Sequence, residues 1–252
     1  MKRESFELEE MPYETLAKFG LTQEMIDDLP IHALEQIGQG RFSPVLPITV
    51  TNEAGEQIAS RTRFALVRME DGNVDTLFFP VLEKSPLESY SREQQNELLA
   101  GKAIIVDVKA ANGHMSKAFV QIDTETKQVM SVATPVIGRN LEVLKEDLHL
   151  CSAELNVMQK GEPLTIISDD EPITVGIDLN SKTGLRFCAG DSQKWREESK
   201  REWDKYTFGC YGCWVMGDYG DLAYVPEDDY TEELWNEQKK SAQRNISTGI
   251  HK

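Results

Sequence analysis

Three glycines set the frame of this chain. Gly40, Gly101 and Gly161 stand 61 and 60 positions apart, and each follows a short run with helical spacing and precedes alternating strands and polar turns. Aligned on these glycines, Ile37, Leu98 and Met158 all fall three residues before the corner, one helical step on the face that would pack on a sheet. One module of helix, glycine corner and antiparallel meander is therefore expected three times. Its clearest copy is Ser91 to Val129, "SREQQNELLAGKAIIVDVKAANGHMSKAFVQIDTETKQV". Ser91 and Gln94 form a capping box, Gly101 ends the helix, and "AIIVDV" and "KAFVQID" flank the turn Asn112-Gly113. Thr124 to Lys127 then turn the chain into "QVMSV", and Pro135 and Gly138 punctuate the exit.

The first copy is preceded by a charged segment, residues 1–10, expected to be disordered. Three short helices follow: "PYETLAKFG", then "LTQEMIDDLP" with Thr22 as N-cap, then "IHALEQIGQG". Turns at Asn52 to Gly55 and at Asp71 to Asn73 divide the following Val-, Ile- and Phe-rich runs into a small antiparallel meander. The third copy takes its helix from "NLEVLKEDLHLCSAELNVMQKGE" and its strands from "PLTIIS", "ITVGIDL" and "LRFCA", with turns at Asp169-Asp170 and Asn180 to Gly184. The hairpin arms differ in length, so the repeat is degenerate. Arg41, Lys102 and Glu162 follow the three glycines, so no basic residue is kept there and backbone geometry explains the corner better than anion binding.

After Gly190 the pattern changes to a charged helix, "DSQKWREESKREWDKY", and then to the glycine- and aromatic-rich "TFGCYGCWVMGDYGDLAYVPEDDY". All four tryptophans lie here, so this region either has a core of its own or covers the meanders. Asp229 and Glu232 read as a capping pair for a last helix through Leu234 and Trp235, and Ser241 to Lys252 as a frayed tail. The expected class is α+β. Its regions are 11–84 (helices plus sheet), 85–138 and 139–190 (helix-plus-meander modules), 191–240 (aromatic-rich) and 241–252 (tail).

No nucleophile motif or phosphate-binding glycine loop is present, and His32, His114, His149 and His251 have surface or capping roles as their simplest reading. The pairs Asp27-Asp28, Asp169-Asp170 and Asp228-Asp229 are sequence neighbours that do not share a face, and they read as caps, turns or solvated acids. Cys210 and Cys213 have the spacing of a zinc knuckle, but a structural zinc needs four ligands; buried thiols are the better account, and no metal or cofactor is expected. The aromatic segment has the most functional leverage. Tyr206, Tyr211, Trp214 and Tyr219 are the candidate interaction surface, against the plainer alternative of a local core. With 27 basic against 43 acidic side chains the net charge is −16, a field that repels the phosphate backbone, so a protein partner is expected rather than DNA. No stretch reaches the ~20 apolar residues of a membrane helix, and a cytoplasmic setting with no membrane partner is expected.

The N-terminal "MPYETLAKFGLTQEMIDDLP" with "ALEQIGQGRFSPVLPI" resembles the first domain of uncharacterised proteins carried on Bacteroidetes conjugative and other mobile elements. "REQQNELLAGKAIIVD" with "KAFVQIDTETKQV", and "VMQKGEPLTI" with "ITVGIDLNSKTGLRF", resemble a small domain of unknown function that accompanies it and is also appended to type IA topoisomerases of such elements. The resemblance covers roughly residues 11–190. Its motifs are fold signatures, and they carry over no catalytic residue. It implies an association with mobile DNA biology, and with no catalytic motif in the chain the expected function is that of a non-enzymatic accessory or interaction protein of a mobile element, acting through protein contacts along the repeated sheets. The alternatives are a nucleic-acid-handling accessory and an acidic inhibitor that imitates nucleic acid.

Overall fold

The computed structural model describes residues 5–51, 54–109, 113–168, 171–181, 183–197, 203–218 and 220–249. The turn residues Asn52, Asn112, Asp169 and Asp170 lie outside them. Three helices, α1 (Tyr13–Ala17), α2 (Gln23–Asp27) and α3 (Ile31–Gly38), lead into strands β1 (Leu46–Thr51), β2 (Gln57–Arg68) and β3 (Val74–Pro80). The next module is α4 (Arg92–Leu99) with β4 (Ile104–Lys109), β5 (Met115–Ile122) and β6 (Val129–Ala133). Helices α5 (Thr134–Asp147) and α6 (Ser152–Gln159) precede β7 (Leu164–Ser168), β8 (Glu171–Ile177), β9 (Leu185–Ala189) and α7 (Ser192–Glu197). The chain closes with β10 (Tyr206–Phe208), β11 (Gly212–Met216), β12 (Leu222–Pro226) and α8 (Glu232–Gly249). The class is α+β, and the described residues form four antiparallel three-stranded meanders in tandem.

The three glycine corners are built alike. The amides of Arg41, Lys102 and Glu162 each donate to the carbonyl five residues back, on Gln36, Glu97 and Val157, and the glycines sit at φ 66°, 79° and 81°. This is the Schellman arrangement, which satisfies carbonyls that a helix end leaves orphaned and needs a left-handed residue that glycine supplies without a Cβ clash. Ile37, Leu98 and Met158 are buried as the alignment predicts. The Ser91–Gln94 capping box and the Thr22 cap are also present.

Contacts divide the chain into two units, residues 1–80 with 201–252, and residues 81–200. In the first, Leu16, Leu21, Ile26, Ile37, Leu46 and Phe64 share one core with Trp203 and Trp214. Residues 11–80 and 201–240 are thus two parts of one folded body, whereas α7, expected with the aromatic-rich region, belongs to the second unit. Residues 5–10, expected to be disordered, belong to it: Phe6 is buried, its amide donates to Gly38, and Arg68 pairs with Glu10 at 2.9 Å.

In the second unit, the sheet β4-β5-β6 is covered on one face by α4 and the segment before it, where Leu98 and Leu87 pack on Ile104 and Val120. Phe119, on its other face, packs with Ile137, Leu141, Met158 and Val175 in a core that spans both expected modules. Gln121 is buried and ties the modules by polar bonds, donating to the carbonyls of Gly101 and Ile177 and accepting the Leu179 amide at 2.9 Å. The corners themselves meet: Lys102 pairs with Glu162, whose carboxyl is held below the usual carboxylate range by Lys102 first and Arg196 second. Helix α5 corrects the sequence reading. Pro135 sits in its first turn, where a missing N–H costs nothing, and Gly138 lies inside it. His149 ends α5 in the left-handed region at φ 53°.

Trp195 of α7 covers the outer face of the third meander. Its ring lies where a Cβ on Gly176 would come within 2.6 Å, its indole N–H donates to the Arg186 carbonyl, and the Arg186 guanidinium stacks 4.0 Å above it. The last helix is capped by Thr231, which accepts from Leu234, rather than by Asp229, and it runs on to Gly249 through most of the expected tail.

Candidate interaction surface

The sheet β10-β11-β12 explains where its aromatic residues go. Strand register places Thr207, Trp214 and Tyr224 side by side on one face, and Phe208, Cys213 and Val225 on the other. The first face meets the N-terminal helices. Trp214 is fully buried, its indole N–H donates to the Met25 carbonyl at 3.1 Å, and its ring packs against Trp203 and Tyr224. The second face is covered by Phe208 against Tyr230, and Tyr230 against Trp235. Burial pushes the Cys213 thiol up to about 11, so it stays protonated at neutral pH.

Asp28 is the polar centre of this arrangement. It is 3% exposed, and its carboxylate accepts the amides of Cys210 and Tyr211 and the Tyr224 hydroxyl. Gly209 is required for this approach, since a Cβ there would fall 2.1 Å from the Asp28 carboxyl carbon. Burial, then the bond to Asp28, pushes the Tyr224 phenol well above its ordinary range. Asp28, read from sequence as a cap or solvated acid, is instead a buried anchor. Its one local signal is position: it is the C-cap of α2, where the helix dipole disfavours an anion. Its neighbour Asp27 accepts the Tyr13 hydroxyl at 2.7 Å, and that phenol is pushed up to about 12 by burial and then by Asp27.

Of the four candidate surface residues, Trp214 is therefore core. Its large ring has too much apolar area to leave in water when the N-terminal helices offer a berth. Tyr206 is half-buried and its hydroxyl donates to Glu233 at 3.0 Å. Tyr211 is 50% exposed on a turn pinned by Asp28, and Tyr219 lies outside the described residues. With Trp214 buried, the three described candidates do not form one surface.

A shallow cleft of about 520 Å³ runs between Glu10–Thr15 and Gly72–Val74. Glu10 on its wall is committed to Arg68, and the Tyr13 phenol is held protonated, so the two form no proton-transfer pair poised near neutrality. Among the described residues no disulfide joins the four cysteines, and no group of three His, Cys, Asp or Glu could hold a metal ion. No described helix is long and apolar enough to cross a membrane.

No curated protein and no solved structure matches the chain. Residues 6–90, the N-terminal helices with the first meander and the segment after it, match the model of a family described as a protein of unknown function, DUF4099.

Proposed function

We propose that this chain is a non-enzymatic binding protein that holds a protein partner through its small sheets, as an accessory of a mobile genetic element. One observation carries the reading: the described strands form four separate three-stranded sheets, and none joins another. Small separate sheets leave many strand edges, the kind of element to which an extended peptide adds, and several edge strands carry exposed apolar side chains such as Ile105, Ile167 and Phe187. The net charge of −16 favours a basic partner and opposes a nucleic-acid backbone. The link to mobile elements rests on the resemblance of the N-terminal helices and the small modules to proteins of those elements.

The test is affinity capture with the full chain, followed by titration of the captured protein and, separately, of duplex DNA. Saturable protein binding with no DNA affinity at low salt supports the reading. DNA binding that falls steeply with salt, or turnover of the captured molecule, overturns it.

A further inference from the structure

The geometry points to a strand-acceptor slot on β2, at Gln57–Arg61, that takes an extended segment of a basic partner protein. This rests on the protein-binding reading above and says where on the first sheet such binding occurs.

Strand β2 is longer than either neighbour. It pairs with β1 from Gln57 to Thr62 and with β3 from Thr62 to Arg68, so β3 ends at Pro80, opposite Thr62, while β2 continues to Gln57. Two sets of bonds fix which way its main chain points. Phe64 gives its amide to the Ser43 hydroxyl and accepts the Ser43 amide, on the β1 side, whereas Met69 donates to Asn73 on the β3 side. Main-chain groups alternate along a strand and the register is unbroken, so the even positions of β2 face β1 and the odd positions face β3. Gln57, Ala59 and Arg61 therefore point their N–H and C=O groups to the side where β3 has ended. All of Gln57–Arg61 is exposed.

The two outer edges of the same sheet are closed to such pairing. On β1 the outward positions include Pro47, which has no N–H, and Thr49, whose amide donates to Phe19 at 2.9 Å. On β3 they include Pro80 and Thr76, whose amide is taken by the Asp75 side chain at 2.8 Å. Proline and local capping are how natural sheets prevent unwanted strand addition. Here they protect both edges and leave the stretch beside Gln57–Arg61 open.

What fits is an extended strand, because only another main chain offers donors and acceptors at the spacing of Gln57, Ala59 and Arg61. Ile58, 51% exposed, offers an apolar neighbour to its alternate side chains. A second copy of this chain would carry the same net charge of −16 as the first, whereas a basic partner is drawn to the chain as a whole.

Hydrogen exchange followed by NMR on the full chain tests the assignment. The probe is a blocked peptide of about ten residues, the length of a strand, alternating valine and threonine between terminal lysines. Gln57, Ala59 and Arg61 amides should exchange freely without it and slow by roughly tenfold or more at saturation. The same peptide N-methylated at alternate positions should have no effect, and neither peptide should protect Ala59→Pro, which removes one outward donor and spares the β1 pairing. Protection confined to another sheet overturns the slot while leaving the protein-binding reading standing. No protection at any amide up to about 1 mM peptide also overturns the slot. Protection of the same three amides in the peptide-free protein that grows with its concentration makes the occupant a second copy and overturns the partner assignment.

Discussion

Asp28 shows how much one side chain can decide. A carboxylate removed from water is stable only when its lone pairs are filled, and here two amides and a phenol fill them. Asp28→Ala leaves three part-buried donors without an acceptor and should cost about 2–3 kcal/mol, whereas Asp27→Ala frees the single Tyr13 hydroxyl and should cost about 1 kcal/mol. Urea unfolding of the two variants, read by tryptophan fluorescence, measures the difference. Equal midpoints would show that the Asp28 bonds do not hold the C-terminal sheet. The anchor was not legible in sequence because Asp28 and Cys210 are 182 positions apart, and no periodicity connects them. Trp214 was misplaced for the same reason, since its berth is the Met25 carbonyl and the helix around it.

At the scale of the element, the helix-corner-meander unit was legible because its signals are local. A glycine at a fixed offset, a cap and the alternation of strand residues each act within a few positions. The helix expected from Asn140 on is in fact two, α5 and α6, and α5 begins six residues earlier, across Pro135 and Gly138, which look like breakers although proline is compatible with a first turn. The corners are alike in backbone yet differ in what surrounds them. A Cβ on Gly101 would meet nothing within 4 Å, while one on Gly161 would fall 1.9 Å from the Ala103 carbonyl oxygen. Gly101→Ala should thus cost only the left-handed penalty of about 1–2 kcal/mol. Gly161→Ala adds a backbone collision, should lose at least about 3 kcal/mol and should disturb the Lys102–Glu162 pair. Thermal melts of the two variants check the order, and similar melting temperatures would remove the argument for close packing at the second corner.

For the whole molecule, alkaline pH should separate the two units. Tyr13 is raised to about 12 and Cys213 to about 11, with Tyr224 and Tyr230 also raised, all in the first unit; in the second Tyr90 is raised. A group whose folded pKa lies above its unfolded value stabilises the fold fully below the unfolded value, and that contribution fades as pH climbs to the folded one. The first unit should therefore weaken between about pH 9 and 12, with the second less affected. Trp214 fluorescence against hydrogen exchange in α5 would follow each unit. Simultaneous loss of both, or no loss in this range, would contradict the assignment. The division has another consequence, for the order of events during synthesis. Trp203, Trp214 and the Gly209 turn that complete the first core are translated only after the whole of residues 81–200. At ribosomal speeds of ~5–20 residues per second, the N-terminal helices and first meander emerge and wait on the order of 10 s for their missing side. A released chain truncated just before Trp203 should yield residues 6–80 to protease and keep residues 81–200 intact; the first third of this protein is born unfinished, and its last strands close it.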